Sequence, residues 1–253
     1  MAVAIERLTV QSRASSAGLR EAARTLEDLV WEPFGFLSHT EAHRAHYADI
    51  LDDHADLQLC LVDEESESPI ALANCVPIAY DRAWEDLPQE GWDWLVETGA
   101  KRGARPANVL GALAVSVAPD HRGKGYAQRM IRELKGLATR GGFDALVVPV
   151  RPSAKSEHPH VAMQDYVGWR NGRGDCFDPW LRSHVVQGAR IIGTCERSMV
   201  VEEPLAFWET WIGRRFEASA PYLLPGALVP VDVDLERRTG LYEEPNVWVG
   251  YRI

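Results

Sequence analysis

The chain has 253 residues, 46% of them hydrophobic and 25% charged, the proportions of a soluble globular protein with room for one elaborated domain. Its formal net charge of −10, with no basic stripe, argues against a nucleic-acid-binding surface, and no apolar run approaches the ~20 residues that a membrane span needs. Cys60, Cys75, Cys176 and Cys195 have no metal-ligand spacing and read as reduced thiols; with no basic-then-apolar leader, the expected location is cytoplasmic.

Ile5 to Val10 alternates weakly and suits a first strand. Ser15 and Ser16 offer N-caps to a helix from about Gly18 to Val30, with Leu19, Ala22, Leu26 and Leu29 on one face. Pro33 and Gly35 break the pattern between Trp31 and Phe36. A second helix, from about Thr40 to Leu51, brings His39, His43 and His46 close together; no fourth ligand completes a zinc set, so a solvated face and no metal are expected. Leu57 to Val62 and Pro69 to Ile78 read as a strand pair around the acidic turn Asp63 to Ser68. Residues 81–108 are too long for a plain connection and predict a lid or a packed excursion, whose Trp84, Trp92 and Trp94 read as packing rather than as an acceptor pocket.

Val109 to Val117 is the central strand, Lys124 to Arg140 a helix closed by Gly141 and Gly142, and Ala145 to Val150 an apolar, fully buried strand. Asp178 is the expected N-cap and Pro179 the first residue of a further helix. Cys195 to Val201 suits a strand and Pro204 to Ile212 a short amphipathic helix. Leu228 to Val233 and Val247 to Ile253 then finish as strands around a polar turn, Glu236 to Pro245. Trp248 and Tyr251 read as structural.

The chemistry concentrates in V-S-V-A-P-D-H-R-G-K-G-Y-A, from Val115 to Ala127. Gly123 and Gly125 allow a tight turn, and Ala127, Met130, Ile131, Leu134 and Leu137 set a helix directly after it. An anion such as a phosphate therefore meets unpaired N–H groups at a helix N-terminus. Glycine used only for turn geometry is the competing reading. An ATP-type P-loop fits poorly, because Lys124 lies between the glycines with no Ser or Thr after it, and the dinucleotide fingerprint fails because the element arrives in mid-chain. Arg122, Lys124 and Arg129 could supply local positive potential in an acidic protein, whose substrates elsewhere are weakly biased towards cations.

Arg122, Gly125 and Ala127, after the V-x-V-x-P run, resemble the pyrophosphate signature [QR]-x-x-G-x-[GA] of the GNAT superfamily of acyl-CoA-dependent N-acyltransferases. The resemblance covers roughly residues 1–200. It implies an α/β fold with a mixed, largely antiparallel central sheet, splayed between strands 4 and 5 and flanked by helices. On this reading one domain has a core of about 1–202, insertions at 81–108 and 151–177, and a C-terminal extension, 203–253. It also implies acetyl-CoA, or another short acyl-CoA, as cosubstrate. The backbone of Val115, Ser116 and Val117 would hold the pantetheine arm, with Val117 N–H on the oxyanion, and Arg122, Gly123, Lys124, Gly125, Tyr126 and Ala127 would surround the pyrophosphate.

Four residues before Gly188 stands His184, where many family members carry the Tyr that protonates the departing thiolate; the resemblance makes His184 a candidate general acid. His is also able to act as acid or base near neutral pH, against the alternative of a packed histidine. The D-P-x-L-x-x-H segment also resembles the GNAT-like loading domains of polyketide synthases. There Ser153 would stand near a catalytic Thr and His184 at the catalytic His, which implies malonyl-CoA decarboxylation or acetyl transfer to a carrier-protein thiol. The general base is open, with Glu157, His158 and His160 as candidates. Acetyl transfer to a primary amine of a small molecule or protein is the leading expectation; a non-catalytic CoA-binding module is a further alternative. A homodimer through the late strands is allowed. The ending E-E-P-N-V-W-V-G-Y resembles that of bacterial stand-alone GNAT proteins, with no chemistry attached.

Overall fold

A computed structural model describes residues 7–101, 103 and 105–253. Strand β1 is Leu8–Ser12; Ile5 and Glu6, expected to begin it, lie outside the described residues. Helix α1 (Ala17–Trp31) is capped by Ser16, whose Oγ accepts from Leu19 N–H at 3.0 Å. Its buried face is Leu19, Ala23, Leu26 and Glu27, turned from the expected one, and Leu29 is 53% exposed. A 3₁₀ stretch, Glu32–His39, carries Pro33 in its first turn, and the next helix opens with a π turn, His43–Tyr47, before α2 (Ala48–Asp53).

Strands β2 (Leu59–Asp63), β3 (Ser68–Ile78) and β4 (Val109–Val117) pair antiparallel in sequence. Between β3 and β4 the chain is packed, not a lid: α3 (Gly91–Ala100) buries Trp92, Leu95 and Val96. Asp93 on α3 is half-buried and accepts from Val200 N–H at 2.9 Å. Burial pushes its carboxyl up to about 7. A carboxyl raised on folding takes up protons in the native state between its unfolded and folded values, so its ionisation costs stability as pH rises towards 7 and above. Asp93→Asn should therefore raise the melting temperature more at pH 8 than at pH 5, a difference that calorimetry at the two pH values measures.

Helix α4 (Tyr126–Arg140) leads to β5 (Ala145–Val150), and this helix crossing makes the sheet's one parallel pairing among the described residues. Then come α5 (Met163–Val167), α6 (Pro179–Val186), β6 (Arg190–Pro204), α7 (Leu205–Ile212), β7 (Ala220–Tyr222), β8 (Val231–Asp234) and β9 (Thr239–Arg252). Asp178 caps α6 as expected, accepting from Trp180 and Leu181 N–H at 2.9 and 3.0 Å.

One sheet runs β1-β2-β3-β4-β5-β9-β8-β7, with β6 on the other side of β9. The expected polar turn Glu236 to Pro245 is thus mostly strand: the reversal is confined to the residues between β8 and β9. Gly240 to Glu244 alternate with buried Tyr242 and Glu244 facing inward. The stretch after 203, read as an extension, supplies the strand that joins β5 to β6. The mixed, mainly antiparallel sheet with flanking helices is the expected fold class.

Candidate active site

Strands β4 and β5 pair only at Val109–Ala145, Leu110–Leu146 and Gly111–Val147. Beyond Gly111, β4 keeps β3 on one side and, among the described residues, no strand on the other, while β5 keeps β9. The gap opens into a cavity of about 910 Å³ that runs from Arg122 and Ala127 at one end to Glu27, Tyr47 and Trp92 at the other. Just where the strands part, the pairing of β4 with β3 slips: Asn74 faces Ala114 and Cys75 faces Ala112, leaving Leu113 as a bulge. Trp92 fixes that bulge by donating from its indole Nε1 to Leu113 O at 2.9 Å.

At the outer end, Gly123 and Gly125 have φ of 76° and 82°, the left-handed region that side chains disfavour, and an added Cβ on Gly123 would meet nothing within 4 Å. Gly125 is also the N-cap of the 15-residue α4 and brings no side chain to the helix N-terminus, where the helix dipole favours an anion. Arg122 folds back over the strand end, with Nε donating to Val117 O at 3.4 Å.

In the middle lie His184 and Ser153. Ser153 is exposed, whereas His184 is only 1% exposed. Its Nδ1 stands 2.8 Å from Tyr251 Oη, and its buried Nε2 has no hydrogen-bond partner among the described residues. Burial pushes the His184 imidazole down to about 3, so it is neutral at physiological pH, not poised to titrate there as the sequence suggested.

The inner end is polar but largely self-neutralised. Glu27 meets Arg13 at 2.7 Å, Tyr47 Oη at 2.5 Å and Asn74 Nδ2 at 2.5 Å, and Arg13 also donates to Asn74 Oδ1 at 3.0 Å. Arg151 donates from Nε to both Glu244 oxygens at 2.9 and 3.1 Å. His43 stacks on Tyr47 and Trp92, and burial, with the nearby His39, lowers it to about 4, so it adds no charge. The π turn sets His43 and Tyr47 together on the cavity wall. Two carboxylates remain at the rim, Asp28 and Glu32, four residues apart at the end of α1 and without an ion-pair partner among the described residues. Both the helix dipole and their mutual repulsion mildly disfavour that placement, and Arg24, one turn before Asp28 and also on the cavity wall, is already paired with Asp52 at 2.8 Å.

Of the expected cofactor residues, Val115, Val117, Arg122 and Ala127 line the cavity and Gly123 to Tyr126 form the turn at its mouth. Ser116 is turned away and buried, its hydroxyl accepting from Trp31 Nε1 at 2.9 Å. None of the three base candidates lines the cavity: Glu157 and His160 are exposed, and His158 packs among Tyr166, Trp169 and Phe177. The three histidines of the second helix are likewise not a common solvated face, since His43 lines the cavity and His39 meets Glu203 at 3.2 Å. Trp92 is wall and anchor, whereas Trp84 and Trp94 pack as expected. Tyr251, read as structural, belongs to the site.

A model of the acetyltransferase (GNAT) family matches residues 23–160. Arginine N-acetyltransferase avaD of Aspergillus versicolor is 34% identical over 246 residues, which cover 86% of this chain and 84% of that one. The chain belongs to the GNAT family. It is an N-acetyltransferase by type, and family members of this kind bind coenzyme A. Among solved structures, the loading GNATL domain of CurA from Lyngbya majuscula superposes with a TM-score of 0.62 at 15% identity, covering 97% of this chain and 98% of that one. The GphF GNAT-like decarboxylase in complex with isobutyryl-CoA gives 0.56 at 16% identity, with 97% and 98% covered. At such identities the likeness is one of fold, and it extends over the whole length of this GNAT chain, including the strands after residue 203.

Proposed function

We propose that this GNAT enzyme acetylates arginine, or a small cationic amine that resembles it, by direct attack on acetyl-CoA. One observation carries the reading: a single cavity joins an anion-binding turn to an acidic rim through the opening between β4 and β5. The turn from Arg122 to Ala127 takes the pyrophosphate, and the open edge of β4 takes the pantetheine arm. Val117 lies beside that turn; the four residues back to Leu113 span ~13 Å of strand, a distance that an extended pantetheine arm covers. We therefore assign the thioester oxygen to the backbone at the Leu113 bulge rather than to Val117 N–H. The acceptor enters from the α1 side, where Asp28 and Glu32 favour a guanidinium; the relative named as an arginine N-acetyltransferase points to the same substrate.

Two measurements test this. Acetyl-CoA at about a hundred times a micromolar dissociation constant should stabilise the native state by ~2.7 kcal/mol, a rise of roughly 5–10 °C. No rise would remove the cofactor assignment. In a thiol-release assay, arginine should outperform its uncharged analogue citrulline, and Asp28→Asn with Glu32→Gln should cost arginine about tenfold or more in kcat/KM while leaving citrulline nearly unchanged. Equal rates for the two acceptors would defeat the guanidinium assignment, and conversion of malonyl-CoA to acetyl-CoA without any acceptor would favour the decarboxylase chemistry instead.

A further inference from the structure

His184 and Tyr251 form a buried pair whose hydrogen-bond arithmetic has one solution. Both side chains are 1% exposed, and burial raises the phenol as it lowers the imidazole, so the pair is uncharged and holds two protons in all. Either Tyr251 O–H donates to His184 Nδ1, leaving the proton of the ring on Nε2, or Nδ1–H donates to Tyr251 Oη and the phenol must find another acceptor. That acceptor would be His184 O, at 3.4 Å. His184 O already accepts from Ala189 N–H at 3.1 Å and shares Gln187 N–H, also at 3.1 Å, with Val185 O, so a third donor at 3.4 Å is the weakest of its contacts. The phenol proton therefore goes to Nδ1, at 2.8 Å.

We infer that Tyr251 is a positioning residue, which holds His184 as its Nε2–H tautomer so that the ring presents a donor, not a base, to the sulfur of the thioester. The inference rests on the acetyl-transfer reading. The groups that face the pair are consistent with it: Trp180 lies edge-on to the imidazole at 4.6 Å, and Lys135 of α4 stands over the Tyr251 ring at 5.0 Å. The unpartnered Nε2 is the atom left to meet a ligand. During transfer an amine that has already given its first proton to solvent attacks in its neutral form: the nitrogen–carbon bond forms and the carbon–sulfur bond breaks with its electron pair leaving on sulfur. His184 donates a hydrogen bond to that sulfur and keeps its proton; the proton lost by the acylated nitrogen ends on the thiolate. No residue of the chain need change its charge in this step.

The tautomer is directly readable in protein carrying ¹⁵N-labelled histidine. The ring of His184, identified by its loss in His184→Gln, should show a protonated Nε2 and a bare Nδ1 in multiple-bond ¹H–¹⁵N spectra. In Tyr251→Phe the preference should relax towards a mixture, and kcat should fall about tenfold, the worth of one well-formed hydrogen bond, with KM for acetyl-CoA little changed. An Nδ1–H ring in the unmodified protein overturns the inference, as does a Tyr251→Phe enzyme with unaltered spectrum and kcat. If Tyr251→Phe fails to fold, the spectrum of the unmodified protein still decides the point. Because that spectrum does not depend on turnover, an Nε2–H ring in a protein that acetylates nothing would instead fault the assigned function.

Discussion

Replacing His184 by Ala should lower kcat for acetyl transfer by roughly 10²–10³, the cost of taking one aligned donor away from a developing anion in a site that excludes water. The acetyl-CoA KM should change far less, because the phosphate turn, Arg122 to Ala127, lies at the outer end of the cavity and His184 in its middle. Truncation also leaves a void beside Trp180 and Tyr251, so the variant will melt earlier, and rates are to be compared well below both transitions. His184→Gln separates the two effects. Its amide still carries a donor, and it should recover part of the lost rate, whereas His184→Phe fills the volume and recovers only part of the stability, since it leaves the Tyr251 hydroxyl without its acceptor. A His184→Ala enzyme that folds and turns over normally would take the residue out of the reaction, and with it the reason for the Tyr251 pairing.

What the sequence disclosed of this site follows from how locally each part is specified. Strand β5 (Ala145–Val150) and β4 (Val109–Val117) were legible to the residue because an apolar run between turn signals needs no distant partner to be recognised. The anion turn was equally legible: two glycines at positive φ and a following helical repeat are all that it requires. The other end of the cavity is assembled from residues far apart in the chain, Glu27 with Asn74 across 47 positions and Arg151 with Glu244 across 93. A signal did exist, since Asn74 interrupts an otherwise apolar strand and Glu27 falls on the apolar stripe of α1. Each of these polar residues must find a partner once buried, but sequence names the need and not the partner. Tyr251 was missed for a related reason. An aromatic residue at a strand end is ordinary packing until topology sets β9 against β5 and thereby under α6.

The same logic makes Arg13→Ala the substitution with the largest expected cost in stability. Arg13 is 1% exposed and Glu27 9%, and they meet at 2.7 Å, with Tyr47 and Asn74 both donating to the second carboxylate oxygen. Truncating the arginine leaves a carboxylate in the protein interior without its counter-ion, which costs about 3–5 kcal/mol and, for a chain of this length, roughly 6–20 °C in melting temperature. Removing both charges should be far milder. In an Arg13→Met, Glu27→Leu double variant no ion is left to desolvate, and Asn74 and Tyr47 can still pair at 2.8 Å. A double variant nearly as stable as the unmodified protein, beside a badly destabilised Arg13→Ala, would mean that the pair is not there to hold the fold together. Its place is on the wall of the cavity, where Glu27 and Tyr47 stand together at the end away from the anion turn. The ion pair then serves to set a fixed, neutral polar surface beneath the acceptor, and the double variant should retain its fold while losing acceptor affinity, read as a raised KM for the amine with kcat/KM falling in step. Unchanged acceptor kinetics in that stable double variant would assign the network to packing alone.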